Sequence, residues 1–239
     1  MPSLTGFNVR FIPNWRMSIL TLFALTLFMR LGFWQLERAH EKKQMIAMQT
    51  ALASTKPLLW QPGDKFPVQY QQIKVQGHFL AKILLLDNQH HEHQFGYHVL
   101  SPLILSDNQV VLIDRGWVKG DSTRQVLPDI DTPNGFIHLT GSSYYPSDKN
   151  WLLGDLLEKK QVDLAVVELV DAKKIEQFLH KAVYPFIIRL DKNEAHGYVR
   201  EWATVAMNPQ RHYAYAFQWF AMALTIFILF IVLNLKKKT

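Results

Sequence analysis

The segment that most limits the fold is YAYAFQWFAMALTIFILFIVLNL, from Tyr213 to Leu235, which carries no charged residue. At ~1.5 Å of rise per residue it covers a hydrocarbon core of ~30 Å, so it reads as a transmembrane helix. KKKT follows at once, and basic residues beside a span mark its cytoplasmic end. The other apolar segment, Met17 to Leu36, is interrupted by Arg30 and preceded by Arg10 and Arg16. Met17 to Met29 alone would suit the apolar stretch of a signal peptide, but RLGFWQLER follows it with no small-x-small cleavage site. Continued through Leu36 it spans a membrane, with Arg30 snorkelling, and the reading is an uncleaved anchor. The expected organisation is a cytoplasmic tail over 1–16, a span over 17–36, an outer domain over 37–211, a second span over 212–235 and a tail over 236–239.

The charge agrees with this layout. The formal net charge is +6, but the excess sits at Arg10, Arg16, Arg30, Lys236, Lys237 and Lys238, beside the apolar segments. The stretch between them is neutral, which is membrane topology rather than a nucleic-acid footprint. The chain has no cysteine, which removes disulfides, CxxC redox chemistry, haem attachment through CxxCH and thiolate metal sites. With so little sequence expected inside, a sensor with a cytoplasmic output domain is excluded, and the work is expected in the membrane or outside it.

Between the spans, ERAHEKKQMIAMQTALAST has helical spacing and should prolong the first helix outward until Pro57, Pro62, Gly63 and Pro67 break it. YQQIKVQGHFL, KILLLDNQ, FGYHVLSPLIL, QVVLIDRGWV and GFIHLTGSSYY then read as strands. VDAKKIEQFLHKA reads as a helix capped by Asp171, with Ile175, Phe178 and Leu179 on one face, and VYPFIIRLD returns to strand. Short turns between strands predict an antiparallel sheet or partly closed barrel with one or two helices, an α+β domain.

The most conspicuous chemical cluster is His90, His91, Glu92 and His93. Imidazoles suit zinc and copper, yet this position is a hairpin tip, and alternate residues of an extended chain point apart. A solvated loop is the expectation, with His90, His91 and His93 as weak metal candidates. His40, His78, His138, His180 and His196 are scattered and read as structural or surface residues. No GxSxG, HExxH or phosphate-binding glycine loop occurs, so the chain does not read as an enzyme. Asp114 beside Arg115 suggests an ion pair at a strand end. In RHYAYAFQWF, His212, Tyr215, Ala216 and Trp219 have the spacing of one helix face at the outer interface. Aromatic side chains are ordinary at that depth; an imidazole above a small residue also suits an axial ligand for haem iron.

GFWQLERAHEKK, GYHVLSPL, VLIDRGWV and HYAYAFQWFAMA occur in an order that resembles the surfeit locus protein 1 family of cytochrome c oxidase assembly factors. The matching positions are Gly32, Trp34, Gln35, Leu36 and Arg38; Gly96, Tyr97 and Pro102; Arg115, Gly116 and Trp117; and His212, Tyr215, Ala216, Gln218 and Trp219. Asp114 stands where asparagine is the familiar form, and the histidine-rich tip matches no family motif. The resemblance implies a non-enzymatic role in assembling haem-copper oxidase, around haem a insertion into subunit I, with His212 at the family's haem-related position. On that basis the expected haem a site is His212 as ligand, Tyr215, Trp219 and Trp34 as walls, and Arg115 or Arg38 toward the propionates. Haem a synthase is a candidate partner beside subunit I and the lipid bilayer. The rival expectation is a scaffold that binds oxidase subunits without haem; copper delivery by the histidine-rich tip is a third. A bacterial inner membrane, with both termini cytoplasmic and the domain periplasmic, is the expected setting.

Overall fold

A computed structural model describes residues 9–146, 157–159, 162–202, 205 and 207–237. In chain order the elements are β1 (Val9–Phe11), α1 (Trp15–Ala53), β2 (Leu58–Leu59), β3 (Gln72–Phe79), β4 (Ile83–His91), β5 (Gln94–Ile104), β6 (Val110–Lys119), β7 (Phe136–Tyr144), β8 (Leu157–Lys159), β9 (Leu164–Val167), α2 (Ala172–Leu179), β10 (Val183–Leu190), α3 (Pro209–Asn234) and β11 (Leu235–Lys237). They divide into two compact units, Met1–Ala47 with Thr204–Thr239, and Met48–Ala203.

The first unit contains two helices long and apolar enough to cross a bilayer, α1 and α3. Most of their large apolar side chains are exposed, Leu20, Leu22, Phe23, Phe217, Leu224 and Leu233 among them, as a lipid solvent requires and water would penalise. The helices meet along a seam of small residues and rings. A Cβ on Gly32 would lie 2.5 Å from Phe220 Cε1, so the absent side chain is what lets the backbone approach. Phe33 meets Phe220 edge-on at 5.4 Å, and Phe28 meets Trp219 at 5.6 Å. At the far end of this unit, β1 and β11 pair antiparallel, and Asn234 Oδ1 accepts from Asn14 N at 3.1 Å. The short strands lie where the sequence suggests only tails; three-residue runs carry no periodic signal.

The helix α1 continues beyond membrane length, as its charge spacing predicts. It stops at Ala53, where the Ser54 and Thr55 hydroxyls donate to Ala51 O and Leu52 O at 2.8 and 2.7 Å, competing with the helical ladder just before Pro57.

The second unit holds a nine-stranded sheet in the order β2-β3-β7-β10-β6-β5-β4-β9-β8, and β3 also pairs with β5. That extra pairing closes β3, β7, β10, β6 and β5 into a ring. The fold is α+β, but the sheet is mixed rather than antiparallel. The pairs β10–β6, β2–β3 and β4–β9 are parallel. Strands joined by short turns dominate the sequence pattern; β9 and β10 instead come late in the chain and pair in parallel with β4 and β6, which lie far earlier in it. β9 itself, only four residues, escaped the period-two reading.

β6 is buried on both faces, which explains its nearly continuous apolar run. Val111 and Ile113 point into a cluster with Trp60, Tyr184, Phe186 and Ile188. Trp60 packs edge-on against Tyr184 and Phe186 at 5.0 and 5.2 Å, the geometry that ring quadrupoles favour. Val110 and Leu112 alternate to the other face and join Leu84, Leu100, Ile175, Phe178 and Leu179. That cluster seats α2, whose N-cap Asp171 accepts from Lys173 N and Lys174 N.

Candidate functional site

α3 opens with Asn208 as N-cap, its side chain accepting from Gln210 N at 3.2 Å, and Pro209 in the first turn. This start puts His212 in the opening turn and Ala216 one turn further. His212 Nδ1 lies 2.8 Å from Gln35 Oε1 on α1. A carbonyl oxygen can only accept, so Nδ1 donates, and in the neutral ring Nε2 then carries the lone pair. Nε2 is buried and, among the described residues, has no hydrogen-bond partner. An unpaired buried acceptor is costly, and a bare imidazole nitrogen whose tautomer is fixed by a carbonyl is the arrangement of a metal-ligating histidine.

The other expected residues separate around this point. At ~100° per residue, Ala216 and Trp219 fall within about 40° of His212, while Tyr215 turns about 60° the other way. Accordingly Ala216 is buried, Trp219 packs on Phe28, and Tyr215 is 44 % exposed. Trp34 is 47 % exposed and lies under the Arg38 guanidinium at 6.0 Å. Arg38 also pairs with Glu41 at 2.8 Å. The seam therefore unites His212, Gln35 and Trp219, leaving Trp34, Arg38 and Tyr215 on exposed helix surface. Gln35 was legible as part of the family pattern, but nothing in its spacing announced a partner 177 positions away.

Arg115 belongs to the second unit and is 2 % exposed. It donates to His196 O at 2.7 Å, Asp131 O at 2.7 Å and Ser101 Oγ at 3.3 Å. The Phe79 and Tyr198 rings flank it at 5.8 and 5.0 Å. Burial pulls its guanidinium below the usual value. These contacts pin the segments around Asp131 and His196 to β6. Gly116 beside it has φ +109°, and a Cβ there would lie 2.5 Å from Val199 O, so this position in RGW needs glycine for both conformation and clearance.

The ion pair expected between Asp114 and Arg115 does not form, because neighbours on a strand project to opposite faces. Asp114 pairs instead with His98, Nδ1 to Oδ2 at 2.9 Å, and its Oδ1 accepts from Gly116 N at 3.1 Å.

The histidine-rich stretch forms the β4–β5 hairpin tip. Glu92 and His93 have φ of 48° and 64°, the left-handed values of a two-residue type I′ turn. His90 packs toward Phe95 at 6.1 Å, while His91 packs toward Trp117 at 5.2 Å and lies 3.8 Å from Glu201. Among the described residues no three His, Asp or Glu side chains come together in a group that could hold a metal ion.

Two membrane-length helices joined through an α+β domain, with a half-buried imidazole in the helix seam, define a membrane protein of a particular class. The SURF1 family model matches residues 22–224, and the chain belongs to the SURF1 family, known as cytochrome oxidase assembly factors. Among its relatives, a SURF1-like protein of Rickettsia bellii is 27% identical over 227 residues, covering 89% of this chain and 88% of that one. A SURF1-like protein of Rickettsia felis is 25% identical over 226 residues, covering 90% and 95%.

Proposed function

We propose that the protein assists haem a insertion into subunit I of haem-copper cytochrome c oxidase, and that His212 meets the iron. The observation that carries this reading is the buried, unpartnered Nε2 of His212 with its proton fixed on Nδ1 by Gln35. Iron accepts a lone pair of this kind, and haem bound there would supply the one acceptor that the seam leaves out. Because Nε2 is covered, the groups that cover it must move aside before any ligand reaches it. Trp219 would then offer an apolar wall, while Tyr215 and Trp34 are exposed for a flat apolar ligand approaching from lipid. Arg38, held by the exposed Glu41 pair and a distant contact with the Trp34 ring, can turn toward a propionate at small cost. In this reading the chain performs no covalent chemistry. It lies in a bacterial inner membrane with its sheet unit on the outer side, and haem a synthase is the natural source of the ligand.

One observation favours a second, scaffolding reading. Arg115 is consumed by internal bonds, so the RGW motif builds the fold and leaves the domain surface as a platform for oxidase subunits. The two readings part in one experiment: His212→Ala in the full chain, produced with haem a synthase and examined by visible absorption and by co-purification of subunit I. Loss of haem with retained subunit I supports the haem reading; haem absent from the unaltered protein as well supports the scaffold.

A further inference from the structure

The second unit carries a groove of about 1080 Å³ whose lining includes His98, Asp114, Tyr144, Lys173, Glu168 and Arg189. Arg189 is its unusual member. The guanidinium carbon lies 3.5 Å from the centroid of the Tyr144 ring and 5.4 Å from that of Trp202. Among the described residues, Nε and Nη1 are buried without a hydrogen-bond partner, and no ion pair to Arg189 forms. The acid nearest by strand register is Asp114, but its oxygens serve His98 and Gly116 N. Asp171, also on the groove, serves the N-terminus of α2. Rings that stack on a guanidinium orient it but accept no hydrogen bonds in its plane, so the cation is held in place with Nε and Nη1 unanswered. The side chain as a whole is half-buried, and leaving two of its donors covered without partners is costly.

We propose that this groove binds a small amphipathic monocarboxylate, its carboxylate set against Arg189 and its apolar body along the wall of Leu86, Tyr144, Tyr145 and Val170. The groove is roomier than a small acid alone requires, but its make-up, apolar walls with a few placed polar groups, is that of small-ligand sites. Arginine pairs with carboxylate and phosphate alike. The groove also presents Asp114, Glu168 and Asp171, whose field disfavours a dianion more than a monoanion, and this selects carboxylate. The site is independent of the haem reading, since every residue in it belongs to the sheet unit.

The test uses the full chain in uncharged detergent, titrated with 4-phenylbutyrate, 4-phenylbutanol and phenyl phosphate, and followed by saturation-transfer NMR and calorimetry. The acid is expected to bind saturably at millimolar concentration or below, with the alcohol and the phosphate at least tenfold weaker. Arg189→Met is expected to weaken the acid at least tenfold while melting no lower than the unaltered protein, because it deletes an unpaired charge. Equal binding of acid and alcohol, no saturable binding of the acid, or unchanged binding by Arg189→Met overturns the proposal. The acid and alcohol comparison on the unaltered chain decides the matter even if the variant fails to fold.

Discussion

Three side chains at the residue scale show how much depends on where donors and acceptors end up. Gln35 fixes the His212 tautomer through one 2.8 Å hydrogen bond. Gln35→Leu removes it at nearly constant volume, so the imidazole loses its orientation and Nε2 its exclusive lone pair. Haem retention should fall roughly 10- to 100-fold, the usual loss when a metal ligand's supporting hydrogen bond is removed, as measured by titration of the purified protein. Arg115→Met leaves the His196 and Asp131 carbonyls without their donor, and charge-assisted bonds of this kind make the loss about 3 kcal/mol. Thermal unfolding should show that loss, with haem per folded molecule unchanged. Tyr184 is buried and donates to Asp107 at 2.7 Å; burial first, and the neighbouring carboxylate second, push its pKa up to about 12. The raised value means stability that is intact below pH ~10, the ordinary tyrosine value, and lost as pH climbs toward about 12, because the unfolded chain releases the proton first. Tyr184→Phe should flatten that alkaline decline, measurable by unfolding midpoints across the same range.

The helix seam is the element on which the site rests. It closes because Gly32 admits Phe220, and Gly32→Ala should push the ring away, lower the melting temperature and reduce haem retention together. Phe220→Ala should rescue Gly32→Ala in part, since the two changes share one contact and cannot be additive. Additive losses in a double-mutant cycle would show that the two residues do not touch. At this scale much was legible from sequence. The strands β3 to β7 and β10 stand close to their alternating segments, and α2 begins after its Asp171 cap because local periodicity and capping chemistry are written in adjacent residues. The parallel partners of β10 and β4, and the ring closed by β3 and β5, were not legible. They depend on pairings between residues far apart, which no local pattern encodes. The same limit applies to the site: His212 stood out by type and position, whereas its Gln35 partner, the His98–Asp114 pair and the unanswered Arg189 emerge only when the chain is folded.

For the molecule as a whole, the two units divide the labour. The sheet unit is a closed and heavily buried structure that spends Arg115 and Asp114 on its own integrity. The helical unit exposes apolar surface suited to lipid and, among the described residues, leaves His212 Nε2 buried without a partner. Membership of the SURF1 family makes oxidase assembly the setting, and in the function proposed above His212 Nε2 is the point where the chain meets haem. The most direct measurement is the haem content of three full-length proteins produced with haem a synthase, read from visible spectra per mole of folded chain. The account predicts most haem in the unaltered protein, less in Gln35→Leu and none above background in His212→Ala, all three still binding subunit I. Equal haem in His212→Ala and the unaltered protein would contradict it.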